Sequence, residues 1–210
     1  MITTLLFDLD NTIYSPAYGF EEEVVARMNE FVQRVLNKPL DACKKIRAER
    51  LPHYGTTLEW LMAEYGVTDY ETYFRFVHPE GEEEKLKPDP ALKEFLQSVP
   101  LPKFILTNAP IEHAERILTK LECMESFDGV FDIRFNMLKG KPHREAYEKV
   151  CSAVHASVAE VLFIDDIPRY VAGFTKLGGK GLLIDQLGRH KDYPYAKIEH
   201  IQELVNYLYN

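Results

Sequence analysis

Four short, almost continuously apolar runs constrain this fold more than any other feature of the chain. They are Thr3 to Asp8 (TTLLFD), Lys103 to Thr107 (KFILT), Val161 to Asp165 (VLFID) and Gly181 to Asp185 (GLLID). A strand with one wet face alternates apolar and polar residues, whereas a run without a polar side suits a parallel sheet covered on both faces. Helical patterns lie between the later runs. Ala109 to Leu121 puts Ile111, Ala114, Ile117, Leu118 and Leu121 on one face, and Glu145 to Val154, Val171 to Leu177 and Ile198 to Leu208 read alike. Strand and helix in alternation predict an α/β fold with right-handed crossovers.

Residues from Pro16 to Lys87 carry helical periodicity and no strand signal. Val24, Val25, Met28, Phe31, Val32, Val35 and Leu36 form a stripe of 3.6-residue period that ends before Pro39. Further helices are predicted over Leu40 to Leu51 and Thr57 to Tyr65, the latter stopped by Gly66. Thr68-Asp69-Tyr70-Glu71 has the form of a capping box opening another, and Gly81 to Lys87 (GEEEKLK) reads as a charged connector. The pattern predicts a helical cap over residues 16–87, inserted after the first strand of an α/β core made of residues 1–15 and 88–210.

Charge narrows the partners. Of 210 residues 25 are Lys or Arg and 33 are Asp or Glu, a formal net charge of −8. Grip on a nucleic-acid backbone comes from cations that neutralise phosphates, so neither a nucleic-acid polymer nor an anionic membrane is expected as partner. No apolar run approaches the ~18 residues of a membrane span. The first residues lack the basic flank of a signal peptide. Cys43, Cys123 and Cys151 are widely spaced with no CxxC pair, predicting neither a disulfide framework nor a zinc site. Together these features predict a cytoplasmic protein.

In an open α/β sheet, ligands bind outside the carboxyl ends of the strands. Here those ends lead into Asp8-Leu9-Asp10-Asn11-Thr12, Thr107-Asn108 and Asp165-Asp166, with Lys141 in a Gly-Lys-Pro loop before a helix. Four carboxylates converging on one sheet edge repel one another strongly at low dielectric. They require a cation, and hard oxygen ligands suit Mg²⁺.

These residues resemble, in order, the four motifs of the haloacid dehalogenase superfamily: Asp8-x-Asp10-x-Thr12, Thr107, Lys141, and Asp165-Asp166. The resemblance spans essentially the whole chain and implies a Rossmann-like core, with the helical insert in the position of that superfamily's cap. It implies Asp8 as a nucleophile that forms an aspartyl-phosphate and Asp10 as general acid and base. Thr107, Asn108 and Lys141 would bind the phosphate. Asp8, Asp10, Asp166 and Asp165 would surround Mg²⁺, with Asp166 as the direct carboxylate and Asp165 water-linked or behind it. Metal-free dehalogenases of the superfamily lack the second carboxylate of the first motif, because a halide needs no proton; Asp10 therefore implies an alkoxide leaving group and phosphate-ester hydrolysis. Phosphoryl transfer between sugar carbons uses the same residues and stays open, as does a catalytically silent binding relative. A receiver module is disfavoured by motif order, since its acidic pair comes first.

Five segments resemble the pyrimidine 5′-nucleotidase-like branch: FDLDNTIY, HYGTTLEWL, LTNAPIEHAERIL, GKPHREAYEKV and LFIDDIPRYVAGFTKLG. This implies a small phosphorylated substrate such as the nucleoside monophosphates UMP or CMP. Tyr14, Tyr18, His53, Tyr54 and Trp60 are candidate base contacts. Arg47 and Arg50 are read first as a solvated helix face, and His113 as a surface side chain or a neighbour of the phosphate. Ile167 and Tyr170 stand where the branch commonly has Ser and Asn, predicting a rearranged support for the metal site. Glu59-Trp60 replaces a common Arg-Gly, changing charge and bulk beside a possible substrate surface.

Overall fold

The computed structural model describes residues 1–208. Its sheet has the strand order β3-β2-β1-β4-β5-β6, with β1 (Thr4–Phe7), β2 (Lys103–Leu106), β3 (Gly129–Phe131), β4 (Val161–Asp165), β5 (Lys180–Ile184) and β6 (Lys197–Ile198). Every pairing is parallel. β1 lies inside the sheet, Phe7 opposite Ile105 on one side and Ile164 on the other. Strand order reverses at β1, and a crevice opens at its carboxyl end.

The apolar runs are explained by helices on both faces: α5 (Pro90–Ser98), α6 (Ile111–Lys120), α7 (Arg144–Ala153) and α8 (Pro168–Thr175). Because successive strand residues point to opposite faces, Leu5 and Phe7 join a cluster with Ile105, Ile117 and Leu118, while Leu6 joins Tyr147, Phe163 and Phe174. Both faces of the central strands are covered, so the polar strand residues, such as Lys103, Asp165 and Lys180, are confined to the strand ends.

Between β1 and β2 lie α1 (Phe20–Leu36), α2 (Leu40–Arg50), α3 (Thr57–Tyr65) and α4 (Tyr70–Val77). They bury a second core, including Phe31, Val32, Leu58, Trp60, Leu61, Tyr73 and Val77, to which Ile133 from the loop after β3 also belongs. α3 begins on the Thr56 hydroxyl and ends on Gly66, whose φ of 67° favours a residue without Cβ.

Several local expectations need correction. The cap residue of α4 is Asp69 rather than Thr68, its carboxylate accepting from both the amide and the hydroxyl of Thr72; an ionised acceptor outcompetes a neutral hydroxyl. The helix expected over 198–208 is broken: Ile198 pairs with Ile184 in the sheet, a 3-10 turn (Ile201–Leu204) follows, and only α9 (Val205–Leu208) is α-helical. Apolar residues three apart fit a 3-10 turn as well as an α-helix. β3 and β6 are too short to show a periodicity. α5 went unrecognised although Asp89-Pro90 is a helix-start pattern and Asp89 caps the amide of Leu92. The connector also departs from expectation: Glu82, opening a 3-10 turn (Glu82–Lys85), is buried.

Candidate active site

Asp8 leaves β1 directly, Thr107 leaves β2, and Asp165 closes β4, so adjacent strands deliver three side chains to one edge of the sheet. The Asp8 amide donates to the Ile164 carbonyl, extending the ladder one residue beyond β1. The chain then turns sharply at Asn11, in left-handed conformation at φ 57°. The turn brings the Thr12 hydroxyl to 3.4 Å from Asp8 Oδ2 and the Asn11 amide to 3.3 Å from Asp166 Oδ2.

Lys141 is almost wholly enclosed, and its Nζ donates to Asp8 Oδ1 and Asp165 Oδ2, both at 2.6 Å. Asn108 holds the lysine's backbone, donating to the Lys141 carbonyl at 2.9 Å and accepting from its amide at 2.8 Å. That approach requires Gly140, where a Cβ would lie 2.0 Å from Asn108 Oδ1. Lys139, the alternative lysine of this loop, is exposed. Thr107 accepts the Ala109 amide at 3.0 Å through its hydroxyl oxygen.

Electrostatics follow from this crowding. Burial, then repulsion from Asp165 and Asp10, outweigh attraction by Lys141 and push Asp8 up to about 7. Burial with the charges of Asp165 and Asp8 pushes Asp166 up to about 9. Lys141 is desolvated, but the two carboxylates hold it firmly charged. The oxygens of Asp8, Asp165 and Asp166 lie within 4.8 Å of one another. Asp165 has both oxygens engaged, Oδ2 by Lys141 and Oδ1 by the Ile167 amide at 2.8 Å. Asp166 faces the cavity with no cation bonded to it among the described residues. This all-oxygen, under-neutralised set fits a divalent cation of Mg²⁺ type.

Asp10 has different surroundings. Tyr14 donates to its Oδ1 at 2.5 Å, and His113 Nε2 meets the same atom at 2.7 Å. His113 Nδ1 is 2.6 Å from Glu82 Oε1, and Glu82 Oε2 is 2.5 Å from Arg27. Burial opposes charge on Asp10, but His113, His78 and Tyr14 prevail and hold it well below the usual carboxylate range. Burial likewise opposes charge on His113, yet Asp10 and Glu82 raise it to about 9. His113 is therefore fully buried rather than a surface side chain. Sequence reasoning missed Glu82, His78 and Arg27: Glu82 meets His113 and Arg27 only through the fold, 31 and 55 residues away, and His78 stands four residues before Glu82.

A cavity of about 530 Å³ joins these groups to the helical layer, lined by Asp8, Asp10, Thr107, Asn108, Lys141 and Asp166 at one end. Val24, Val25, Met28, Tyr73 and Phe74 contribute apolar wall. Of the aromatic candidates only Tyr14 lines it, and that hydroxyl is committed to Asp10. Trp60 lies in the helical core with Nε1 donating to Glu64, while Tyr54 hydrogen-bonds Glu64. Tyr18 packs against the main core, and His53 is exposed and off the cavity.

Arg47 is not a solvated side chain: it lines the cavity, its Nε donating to Thr57 Oγ1 at 2.8 Å and its Nη2 lying 3.2 Å from Met28 Sδ. Burial lowers its pKa, and no ion pair involves it among the described residues. Arg50, by contrast, lies outside and pairs with Glu64. Glu59 does not face substrate either. It accepts from the Gly55 amide and from His143 Nε2, both at 2.8 Å, tying the helical layer to the loop after Lys141. Tyr170, expected at the metal-site support, meets other groups: its hydroxyl accepts from Asn108 at 3.3 Å and donates to the Gly55 carbonyl at 3.4 Å.

A parallel α/β sheet with an acidic cluster and a buried lysine at the carboxyl end of its first strand defines a class of hydrolase. A family model for haloacid dehalogenase-like hydrolases matches residues 2–178, and the chain belongs to that family. Among curated proteins, validoxylamine A 7′-phosphate phosphatase of Streptomyces hygroscopicus subsp. limoneus is 28% identical over 83 residues. That alignment covers 40% of this chain and 38% of the enzyme's length. Among solved structures, a HAD phosphatase from Thermococcus onnurineus has a TM-score of 0.65 at 18% identity, covering 99% of this chain and 98% of the other. An L-2-haloacid dehalogenase from Xanthobacter autotrophicus has 0.61 at 17%, covering 99% and 100%. A magnesium-bound HAD hydrolase from Bacillus subtilis has 0.61 at 20%, covering 99% of each chain. At these identities the likeness is one of fold.

Proposed function

We propose that this chain is a Mg²⁺-dependent phosphoric monoester hydrolase acting on small phosphorylated metabolites, with residues 16–87 as cap over a core of residues 1–15 and 88–210. The observation that carries the reading is Asp10, a second carboxylate that lines the same cavity as Asp8. Halide departure needs no proton, whereas an alkoxide does.

Asp8 attacks phosphorus in line with the departing oxygen; the Asp8 O–P bond forms as the P–O bond to the alcohol breaks. Asp10 gives its proton to that oxygen. Asp10 is ionised before substrate arrives; an incoming phosphate dianion beside it raises its pKa, so that Asp10 takes up from solvent the proton it then gives to the leaving oxygen. In the second half Asp10 takes a proton from water, the water oxygen bonds to phosphorus, and Asp8 departs as carboxylate. Lys141 neutralises charge on Asp8 throughout, and the Thr107 hydroxyl and Asn108 border the phosphate. Asp8, Asp166 and the Asp10 backbone carbonyl would hold Mg²⁺, with Asp165 behind them because Lys141 and the Ile167 amide occupy its oxygens. Bound there, the ion supplies electrostatic stabilisation of the phosphoryl oxygens.

A nucleoside monophosphate such as UMP or CMP is the narrower reading. The volume of the cavity, its apolar wall and the unmatched Arg47 guanidinium, which can donate to a pyrimidine carbonyl, support it. Buried free thiols at Cys43, Cys123 and Cys151 fit a reducing cytoplasm, and no helix among the described residues is long and apolar enough to cross a membrane. The test is a phosphomonoester panel including UMP, CMP, AMP and sugar phosphates, with Mg²⁺ or excess EDTA. Mg²⁺-dependent phosphate release is expected, and full turnover in EDTA or none on any ester overturns the reading.

A further inference from the structure

The Asp10 carboxyl is held asymmetrically. Both of its donors, the Tyr14 hydroxyl and His113 Nε2, meet Oδ1, and no hydrogen bond reaches Oδ2 among the described residues. The Asp10 side chain is 35% exposed, and the residue lines the cavity. His113 itself is fully enclosed on α6, with its other nitrogen against Glu82. Glu82 sits in the turn that leaves the helical layer and is gripped in turn by Arg27 of α1, which also donates to the Val77 carbonyl at 2.7 Å. Four side chains from separate stretches of sequence thus form one line, Arg27–Glu82–His113–Asp10. Burying so many charges is costly unless each is paired, and here each one is.

The cluster of His78, Glu82 and His113 has the composition of a metal site. Its geometry argues otherwise. His113 Nδ1 and Glu82 Oε1 are 2.6 Å apart, a hydrogen-bond distance. Two ligands of a tetrahedral Zn²⁺, each about 2.1 Å from the metal, stand roughly 3.4 Å apart. Arg27 and Arg116 also flank Glu82, Arg116 at 3.6 Å, and a further cation there would meet repulsion.

We infer that His113, clamped by Glu82, is a positioning residue for Asp10: with Tyr14 it pins Oδ1 and leaves Oδ2 for the proton exchanged with the departing alcohol. A carboxyl that rotates freely spends little time with the correct oxygen in place, and proton transfer demands hydrogen-bond reach. The inference rests on the phosphatase reading and adds to it a residue that touches no substrate.

The test exploits leaving groups. p-Nitrophenolate departs without a proton, whereas the alkoxide of β-glycerophosphate needs one. In His113→Ala, kcat/KM should fall about 100-fold for β-glycerophosphate, within the usual range for general acid catalysis, and under about fivefold for p-nitrophenyl phosphate. The loss should appear in kcat, with KM nearly constant. His113→Gln, whose amide can donate to Oδ1, should regain about tenfold on β-glycerophosphate, and Glu82→Gln should follow the alanine variant in direction. Equal losses on the two esters would make His113 merely structural and overturn the inference. A second measurement needs no turnover. Crystal structures of the wild type and His113→Ala should show Asp10 fixed in the first and in more than one rotamer in the second; an unmoved Asp10 overturns the inference. Failure of the wild type on every ester, with Asp10 still released in the variant, would count against the phosphatase reading while leaving the positioning role in place.

Discussion

Lys141 Nζ lies 2.6 Å from Asp8 Oδ1, and both residues are buried. The candidate nucleophile therefore shares a cation with Asp165, whose Oδ2 accepts from the same ammonium at 2.6 Å. Replacing Lys141 by Met leaves two neighbouring carboxylates without it, and breaking a buried pair costs about 3–5 kcal/mol. Urea unfolding of Lys141→Met should show a loss of that size. Phosphatase turnover should fall at least about 100-fold, the scale of removing one electrostatic contact to the transition state. Near-normal stability and rate together would remove Lys141 from the site.

Asp8→Asn keeps the shape of the side chain and removes the attacking anion. No turnover is expected on any phosphomonoester, and acid-quenched samples incubated with labelled substrate should retain no protein-bound phosphate. The wild type should retain some. A variant that turns over at the wild-type rate contradicts nucleophilic attack by Asp8.

Arg47 presents a desolvated guanidinium to the cavity, where among the described residues a hydroxyl and a thioether hold it. A hydrogen bond to a charged group is worth about 1.5–3 kcal/mol, so Arg47→Met should raise KM about tenfold or more. The effect should be confined to substrates with a carbonyl, carboxylate or second phosphate remote from the scissile ester, and kcat should change little. Uniform KM changes across the ester panel would show that Arg47 does not read the far end of the substrate.

Glu82 gives a pH signature of folding. Burial alone would raise its pKa, but the His113 hydrogen bond and the His78 ring 3.3 Å away dominate and lower it from 4.5 to about 2. A carboxyl depressed in the folded state contributes stability that is complete above its unfolded pKa and is lost as pH falls through the folded one. The shift corresponds to roughly 3 kcal/mol. Wild type should exceed Glu82→Gln by about that amount at pH 6, and the gap should narrow between pH 4.5 and pH 2 in urea titrations. A gap independent of pH would mean that the charge on Glu82 contributes nothing.

Trp60 is fully buried, and its indole N–H is satisfied by Glu64 at 2.9 Å. Trp60→Ala should cost about 3–5 kcal/mol through the void it opens in the helical layer. Preference among UMP, CMP and sugar phosphates should not change, because Trp60 does not line the cavity. A specificity change with intact stability would return Trp60 to the list of base contacts.

Much of this architecture is written locally. The sheet-forming runs announce burial on both faces through continuous apolar character, and strand ends must point at the crevice, so Asp8, Thr107, Asp165 and Asp166 are legible from position alone. Lys141 needed the resemblance to single it out, since its loop has no periodicity and Lys139 competes. Caps and turns that depend on one or two neighbours, such as Gly66 closing α3, are equally readable. Short elements fail for the opposite reason. β3 and β6 are held by their partners in the sheet, and the register of Ile198 against Ile184 overrides an apolar spacing that suggested a helix.

The linear order of residues thus determined the class of fold, the acidic edge and the companions of Asp8, because each depends on period, burial or adjacency within a strand. Tertiary packing alone decided which oxygen of Asp10 is gripped, that Arg47 faces a cavity rather than water, and that Glu82 in an apparently solvated connector is enclosed between His113 and Arg27. The grip on Asp10 and the enclosure of Glu82 depend on charges brought together across 31 to 103 residues of chain. The energy of such pairs is set by how much water packing removes around them. No local pattern encodes that quantity.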